Sequence, residues 1–90
     1  MAVILTDHAI RRAQQRGIPI QALYFTAIYG KATRTRGRLM QRTLRDRDVA
    51  KMVDNRIVSP RESDVLAGLS IRTEETPGGS LVITIFRGNS

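Results

Sequence analysis

The spacing of apolar residues changes along this chain, and this change limits the fold more than any other feature. Up to Gly30 the apolar residues recur at helical intervals, in two stretches that end at Gly17 and Gly30. From Lys31 onward, stretches with the two-residue alternation of β-strands predominate. Helices followed by strands in one short chain predict an α+β domain.

Two helices are predicted before Lys31. Residues 7 to 16 form the first, because Thr6 is a suitable N-cap and Asp7 places an anion where the helix dipole favours it. The second begins near Pro19, a residue tolerated in the first turn, and ends at Gly30. Its apolar residues follow helical spacing: Ile20, Leu23, Tyr24, Ala27 and Ile28.

The remaining chain predicts strands with one short helix between them. Residues 31 to 44 read as two strand pieces that bend near Gly37, and residues 46 to 53 as a short helix capped by Asp46 or Asp48. Residues 54 to 64 read as a polar loop. Two strands, 65 to 74 and 80 to 87, flank a turn with the sequence Pro-Gly-Gly. Since both faces of residues 81 to 86 are largely apolar, this segment predicts a central strand covered on both sides.

The predicted fold is therefore a single α+β domain spanning residues 1 to 90. Two N-terminal helices pack on a small antiparallel sheet of three to four strands, with a short extra helix between strands. The chain has no cysteine and one histidine, which argues against disulfides and zinc. No apolar run reaches the length of a signal sequence or a membrane span, so the expected location is the cytoplasm, without cofactor.

Positive charge is concentrated in the first half of the chain. The formal net charge is +7, and thirteen of the fifteen cations are arginine. Residues 1 to 47 carry a net charge of +8 and residues 48 to 90 a net charge of −1. Arginine binds phosphate through a planar fork of donors, so this excess predicts a nucleic-acid partner. Aromatic residues make up only 4% of the chain, which argues against a stacking platform like that of an RRM or OB domain.

Two groups of side chains are candidates for this binding. On the first helix, His8 is one turn from Arg12, so a phosphate beside His8 would also meet that guanidinium. His8 is also the residue whose ordinary pKa suits proton transfer near neutrality. The expected binding residues are Arg11, Arg16, Arg34, Arg36, Arg38, Arg42, Arg45 and Arg47. The alternatives are a surface histidine without a role and a charged strand edge that prevents aggregation.

Several short stretches together resemble a family of small domains of unknown function (family 4258). They are His8, Arg12 and Arg16-Gly17-Ile18 on the first helix, Tyr29-Gly30 at the end of the second, and the closing strand over residues 82 to 87. The resemblance implies helices packed on an antiparallel sheet, similar to the toxin-like ribonucleases RelE, barnase and the colicin type, which need no metal. It also suggests that Thr84 presents a hydroxyl to substrate. Phe86 departs from the family, where tyrosine is frequent.

Three functions remain open from the sequence. The first is a metal-independent endoribonuclease with His8, Arg12 and Thr84 as catalytic residues. The second is a non-catalytic nucleic-acid-binding domain, with RNA favoured over DNA. The third is a module that binds or inhibits a partner, either a cognate antitoxin or another acidic protein.

Overall fold

The computed structural model of the chain describes residues 2–87. The helices are α1 (Asp7–Gln15), α2 (Ile20–Tyr29), α3 (Asp46–Asp54) and α4 (Pro60–Leu66). The strands are β1 (Val3–Leu5), β2 (Lys31–Arg36), β3 (Leu39–Thr43), β4 (Leu69–Thr76) and β5 (Gly79–Arg87). The predicted α+β class is confirmed.

All five strands form one mixed sheet in the order β1-β5-β4-β3-β2. β2 to β5 pair antiparallel with their neighbours along the chain, and β1 joins the edge of β5 in parallel. The prediction of a purely antiparallel sheet of three to four strands was therefore one or two strands short, and it lacked the parallel pair. β1 has three residues, and a strand of that length is too short to show an alternating pattern.

The helices form a second layer against one face of the sheet. α1 packs on β5 through Ala9 and Ala13, which are completely buried and let the helix backbone approach the strand closely. α2 packs mainly on β4, where Leu23 and Ala27 are also completely buried. These helices share one core with α3, α4 and the strands, so the opposite face of the sheet has no helix over it.

β5 is a central strand, as predicted, but helices cover only one of its faces. Two successive residues of β4 pair with Val82 and Thr84, so Ile83 is an extra residue that forms a bulge. Because of this bulge, Val82 and Ile85 both face the helices and are completely buried. Simple alternation had assigned these two residues to opposite faces, and that assignment was wrong.

Residues 54 to 64 were predicted as a loop, but they include most of α4. Ser59 caps this helix, because its hydroxyl accepts a hydrogen bond from the Glu62 amide at 3.2 Å. The Glu62 carboxylate accepts one in return from the Ser59 amide at 2.8 Å. This capping box begins a helix whose first turns are almost entirely polar, which is why composition alone indicated a loop.

Candidate nucleic-acid interface

β2 forms an edge of the sheet and is exposed along its whole length. The hairpin from β2 to β3 turns at Gly37, whose φ of +54° lies in the left-handed region, and Arg34 Nη1 donates a 2.7 Å hydrogen bond to the Gly37 carbonyl. A bulge between Arg34 and Arg36 puts these two residues on opposite faces of the sheet. The row of Arg34, Arg36 and Arg38 expected for a straight strand is therefore interrupted.

The hairpin and the residues that follow it have a large unneutralised positive charge. Residues 31 to 45 contain six cations and no carboxylate. Within residues 2–87 a single salt bridge forms, between Arg45 and Asp48 at 2.9 Å. The exposed cations of β2 and of the turn therefore have no carboxylate partner among these residues, and remain available to an anionic ligand.

A cavity of about 560 Å³ opens at the base of this hairpin. Its size lies in the range of about 300–1,000 Å³ that is typical of small-molecule sites. Besides Leu44 and Gly68, its lining offers ammonium, guanidinium, hydroxyl, amide and carboxylate groups; these polar side chains belong to Lys31, Thr33, Gln41, Thr43, Arg45 and Asp46. The cavity can therefore hold a phosphate and hydrogen-bond a sugar or base.

Four of these six side chains, those on β2 and β3, lie on the sheet face that no helix covers. The same face continues across β4 and β5. Residues directly opposite each other on paired strands point to the same face, so the register defines two rows across four strands. We call this surface the polar sheet face: Lys31, Thr43, Ser70 and Phe86 in one row, and Thr33, Gln41, Arg72 and Thr84 in the other. A 2.8 Å hydrogen bond between the Thr43 and Ser70 hydroxyls agrees with this register.

An aromatic ring lies on this face beside a cation. The guanidinium carbon of Arg72 is 5.8 Å from the centroid of the half-buried Phe86 ring, within the range of a cation–π contact. Arg72 itself is exposed. Arg72 is not among the binding residues predicted from the sequence, although the alternation of Leu69 and Ile71 with Ser70 and Arg72 indicates that the last two share a face.

The α1 candidates lie in the other layer of the molecule. His8 and Arg11 are exposed, Arg12 is half-buried, and Arg16 is exposed at the C-cap position. Thr84 is on the polar sheet face, opposite the face on which α1 packs. The structure therefore brings His8 and Arg12 together but separates them from Thr84.

The predicted binding arginines also separate into groups. Arg11 and Arg16 belong to α1, which packs on β5, whereas the hairpin is at the far edge of the sheet. Arg47 is exposed in the first turn of α3, close in sequence to the cavity-lining Arg45. Arg42 pairs with the buried Ile71 and so points to the helix side, where its buried Nε has no hydrogen-bond partner among the described residues.

The polar sheet face and its cavity include no cluster of metal ligands. Across residues 2–87, no group of three or more histidine, cysteine, aspartate or glutamate side chains is placed to hold a metal ion. Within the same residues, no helix has both the length and the apolar character needed to cross a membrane.

Comparison with known proteins gave no match. Neither a family model, nor a curated protein, nor a solved structure is significantly similar to this chain. The resemblance to the family of small domains and to the toxin-like ribonucleases therefore stays a prediction.

Proposed function

We propose that this domain binds nucleic acid through the β2–β3 hairpin and the cavity at its base. The observation that supports this best is the run of six cations without a carboxylate over residues 31 to 45, of which only Arg45 has an anionic partner among the described residues. Phosphate neutralises such a surface and releases the counterions condensed on the nucleic acid. RNA is favoured over DNA because of the resemblance to toxin-like ribonucleases.

If the positive charge served only to prevent aggregation at the sheet edge, fewer cations would be enough and no cavity would be needed. Cations along β2 would be enough to keep another strand away. Here the charge continues beyond β2 to Arg38 and Arg47, and a polar cavity of nucleotide size adjoins it. The combination of charge with a concave hydrogen-bonding site supports a ligand with both phosphates and polar bases.

Binding can be tested by fluorescence anisotropy with labelled RNA and DNA of the same sequence over a range of salt concentrations. We expect affinity to fall with salt by about 0.7 to 0.9 log units per log unit of salt for each phosphate contact. The double variant Arg36→Gln/Arg38→Gln removes two exposed hairpin cations, so the slope should decrease by about 1.4 to 1.8.

The matched control is Arg61→Gln, which removes an exposed cation from α4 in the helical layer. This variant should bind like the wild type. An affinity that does not depend on salt, or an equal loss in the control and the hairpin variant, would contradict the proposal.

A second function, metal-independent RNA cleavage, is supported by the position of His8 one turn before Arg12 on α1. An exposed imidazole can transfer a proton while the neighbouring guanidinium holds the phosphate. Denaturing gels of RNA incubated with the protein and EDTA test this function. Fragments that disappear with His8→Ala but persist with Gln15→Ala, an exposed control on the same helix, would support it. RNA that stays intact would contradict cleavage, and nucleic-acid binding would remain as the only proposed function.

A further inference from the structure

We infer that the nucleic acid bound by this domain is single-stranded and lies across the polar sheet face, from the cavity to Phe86. This inference rests on the proposed function and names its substrate class. It concerns a surface beyond the hairpin, because half of the polar sheet face belongs to β4 and β5.

The polar sheet face is chemically suited to an anionic ligand, although Ser70 within it is completely buried. No helix covers it, and its eight residues include two cations, Lys31 and Arg72, and no carboxylate. Toward the β2–β3 turn, the next residues of β3 and β4 on this face are Leu39 and Glu74. The part of the face without a carboxylate is therefore limited to the two rows. A phosphate backbone following these rows would meet both cations, and it would pass a carboxylate only where Asp46 lines the cavity.

Phe86 provides a stacking surface for a base at the end of this path. The ring is half-buried, and the exposed Arg72 guanidinium lies over it. A base that stacks on Phe86 would displace this flexible cation, which can then bind the phosphate of the same nucleotide. Strands are about 4.8 Å apart, so the three intervals from β2 to β5 separate Lys31 from Phe86 by about 14 Å. One base can therefore stack on Phe86 while a neighbouring nucleotide occupies the cavity.

Both contacts need bases that are free of a complementary strand. In a duplex the faces of the bases are stacked on one another, and their pairing edges are occupied. A ring on a sheet face can stack only on an unstacked base, and the Gln41 amide and the threonine hydroxyls of the cavity can reach the Watson–Crick edge only of an unpaired base. A duplex would offer this face its phosphates and groove edges, but no base face for Phe86.

The first test compares affinities at one salt concentration for an unstructured single strand and for the duplex of the same sequence. We expect the single strand to bind at least about tenfold more tightly. Phe86→Leu keeps an apolar side chain but removes the ring, and should weaken single-strand binding by about 5- to 150-fold, the range for loss of one stacked base. The salt slope should stay unchanged, since stacking releases no counterions.

Tyr24→Leu is the matched control, because Tyr24 is an exposed aromatic residue on α2 in the helical layer. It should leave single-strand affinity unchanged. Arg72→Gln is a second test that does not alter a partly buried ring, and it should lower the single-strand salt slope by about 0.7. Circular dichroism melting shows whether each variant is folded.

The outcomes separate this inference from the proposed function. Equal or tighter binding of the duplex, or folded Phe86→Leu and Arg72→Gln variants that bind like the wild type, would overturn the single-strand inference. If binding still depended on Arg36 and Arg38 in that case, nucleic-acid binding through the hairpin would stand. Absence of binding to any nucleic acid would overturn both.

Discussion

Arg45 and Asp48 are joined by three hydrogen bonds at the start of α3. Arg45 Nε and its backbone amide both donate to Asp48 Oδ2 at 2.9 Å, and Arg45 Nη2 donates to Oδ1 at 2.9 Å. One carboxylate thus completes the first turn of the helix and fixes a guanidinium that lines the cavity. The N-cap residue is Arg45 and neither aspartate: Asp46 is exposed at the first helical position, and Asp48, at the third, accepts a hydrogen bond from the Arg45 amide.

The Asp48 interaction predicts acid-sensitive stability. The hydrogen bond from the Arg45 side chain is the main cause that lowers the pKa of Asp48 below its ordinary value. A carboxylate whose pKa is lower in the folded state than in the unfolded state stabilises the fold when the pH is above its unfolded pKa, which is about 3.9 for aspartate. This stabilisation is lost as the pH falls through the pKa of the folded state. Asp48→Asn should cost about 1 kcal/mol at pH 7.

Urea unfolding at pH 7 and near pH 3 measures this effect. The difference between wild type and Asp48→Asn should shrink at the lower pH, since protonation removes the charge from the wild type as well. Asp54→Asn, an exposed carboxylate at the other end of α3, should show little change at either pH. If wild type and Asp48→Asn differed by the same free energy of unfolding at both pH values, the charge of Asp48 would not be the cause of the stabilisation.

Thr6 connects α1 to the sheet and should be sensitive to loss of its hydroxyl. Its Oγ1 accepts a 3.1 Å hydrogen bond from the Ala9 amide and donates one of 2.7 Å to the Val82 carbonyl. Thr6→Ala should lower the free energy of unfolding by about 1 to 2 kcal/mol, while Thr6→Ser keeps both bonds and should cost much less. Thermal or urea unfolding measures both, and equal losses would point to the methyl group instead.

Gly30 is required by a close backbone contact between α2 and β3. Its φ of −71° is ordinary, but a Cβ at this position would be 2.5 Å from the Thr26 carbonyl oxygen and 3.2 Å from the Thr43 amide nitrogen. Gly30→Ala should therefore destabilise the fold by about 1 to 3 kcal/mol. A Cβ at Gly78 would meet only Thr76 Oγ1, at an ordinary contact distance of 3.9 Å, so Gly78→Ala should be nearly neutral in the same unfolding experiment.

Arg42 should contribute less to binding than its place in the sequence indicates. Its Nε is buried on the helix side and has no hydrogen-bond partner within residues 2–87, which opposes folding. Arg42→Met should leave the free energy of unfolding unchanged or raise it by up to about 1 kcal/mol. It should also change the salt slope of binding less than Arg38→Met, which removes an exposed cation of the turn.

Single residues at the ends of the first two helices were enough to predict where those helices begin and end. Thr6 and Gly30 correctly marked the start of α1 and the end of α2, because capping and chain reversal depend on single residues. The two bulges were not predictable, since each depends on how a strand matches its neighbour. The bulge at Ile83 interrupts the alternation that had defined the two faces of β5.

The positive charge of the candidate site could be predicted from the sequence, but the spatial arrangement of its side chains could not. The concentration of arginine identified the hairpin, and helical spacing identified the proximity of His8 and Arg12. The cavity and the polar sheet face depend on the register of strands far apart in sequence. A pattern of single residues does not determine that register, so Arg72 and Gln41 were not selected.

The pairing of β1 with β5 determines when this chain can complete its fold. Val3 and Ser80 are register partners, and the Thr6 hydroxyl bonds a carbonyl 76 residues further along. While the protein is being synthesised, β1 and α1 emerge from the ribosome long before the strand that supports them. The first helix must therefore wait for nearly the whole chain, and a chain truncated before residue 79 would lack the strand that joins β1 to the rest of the sheet.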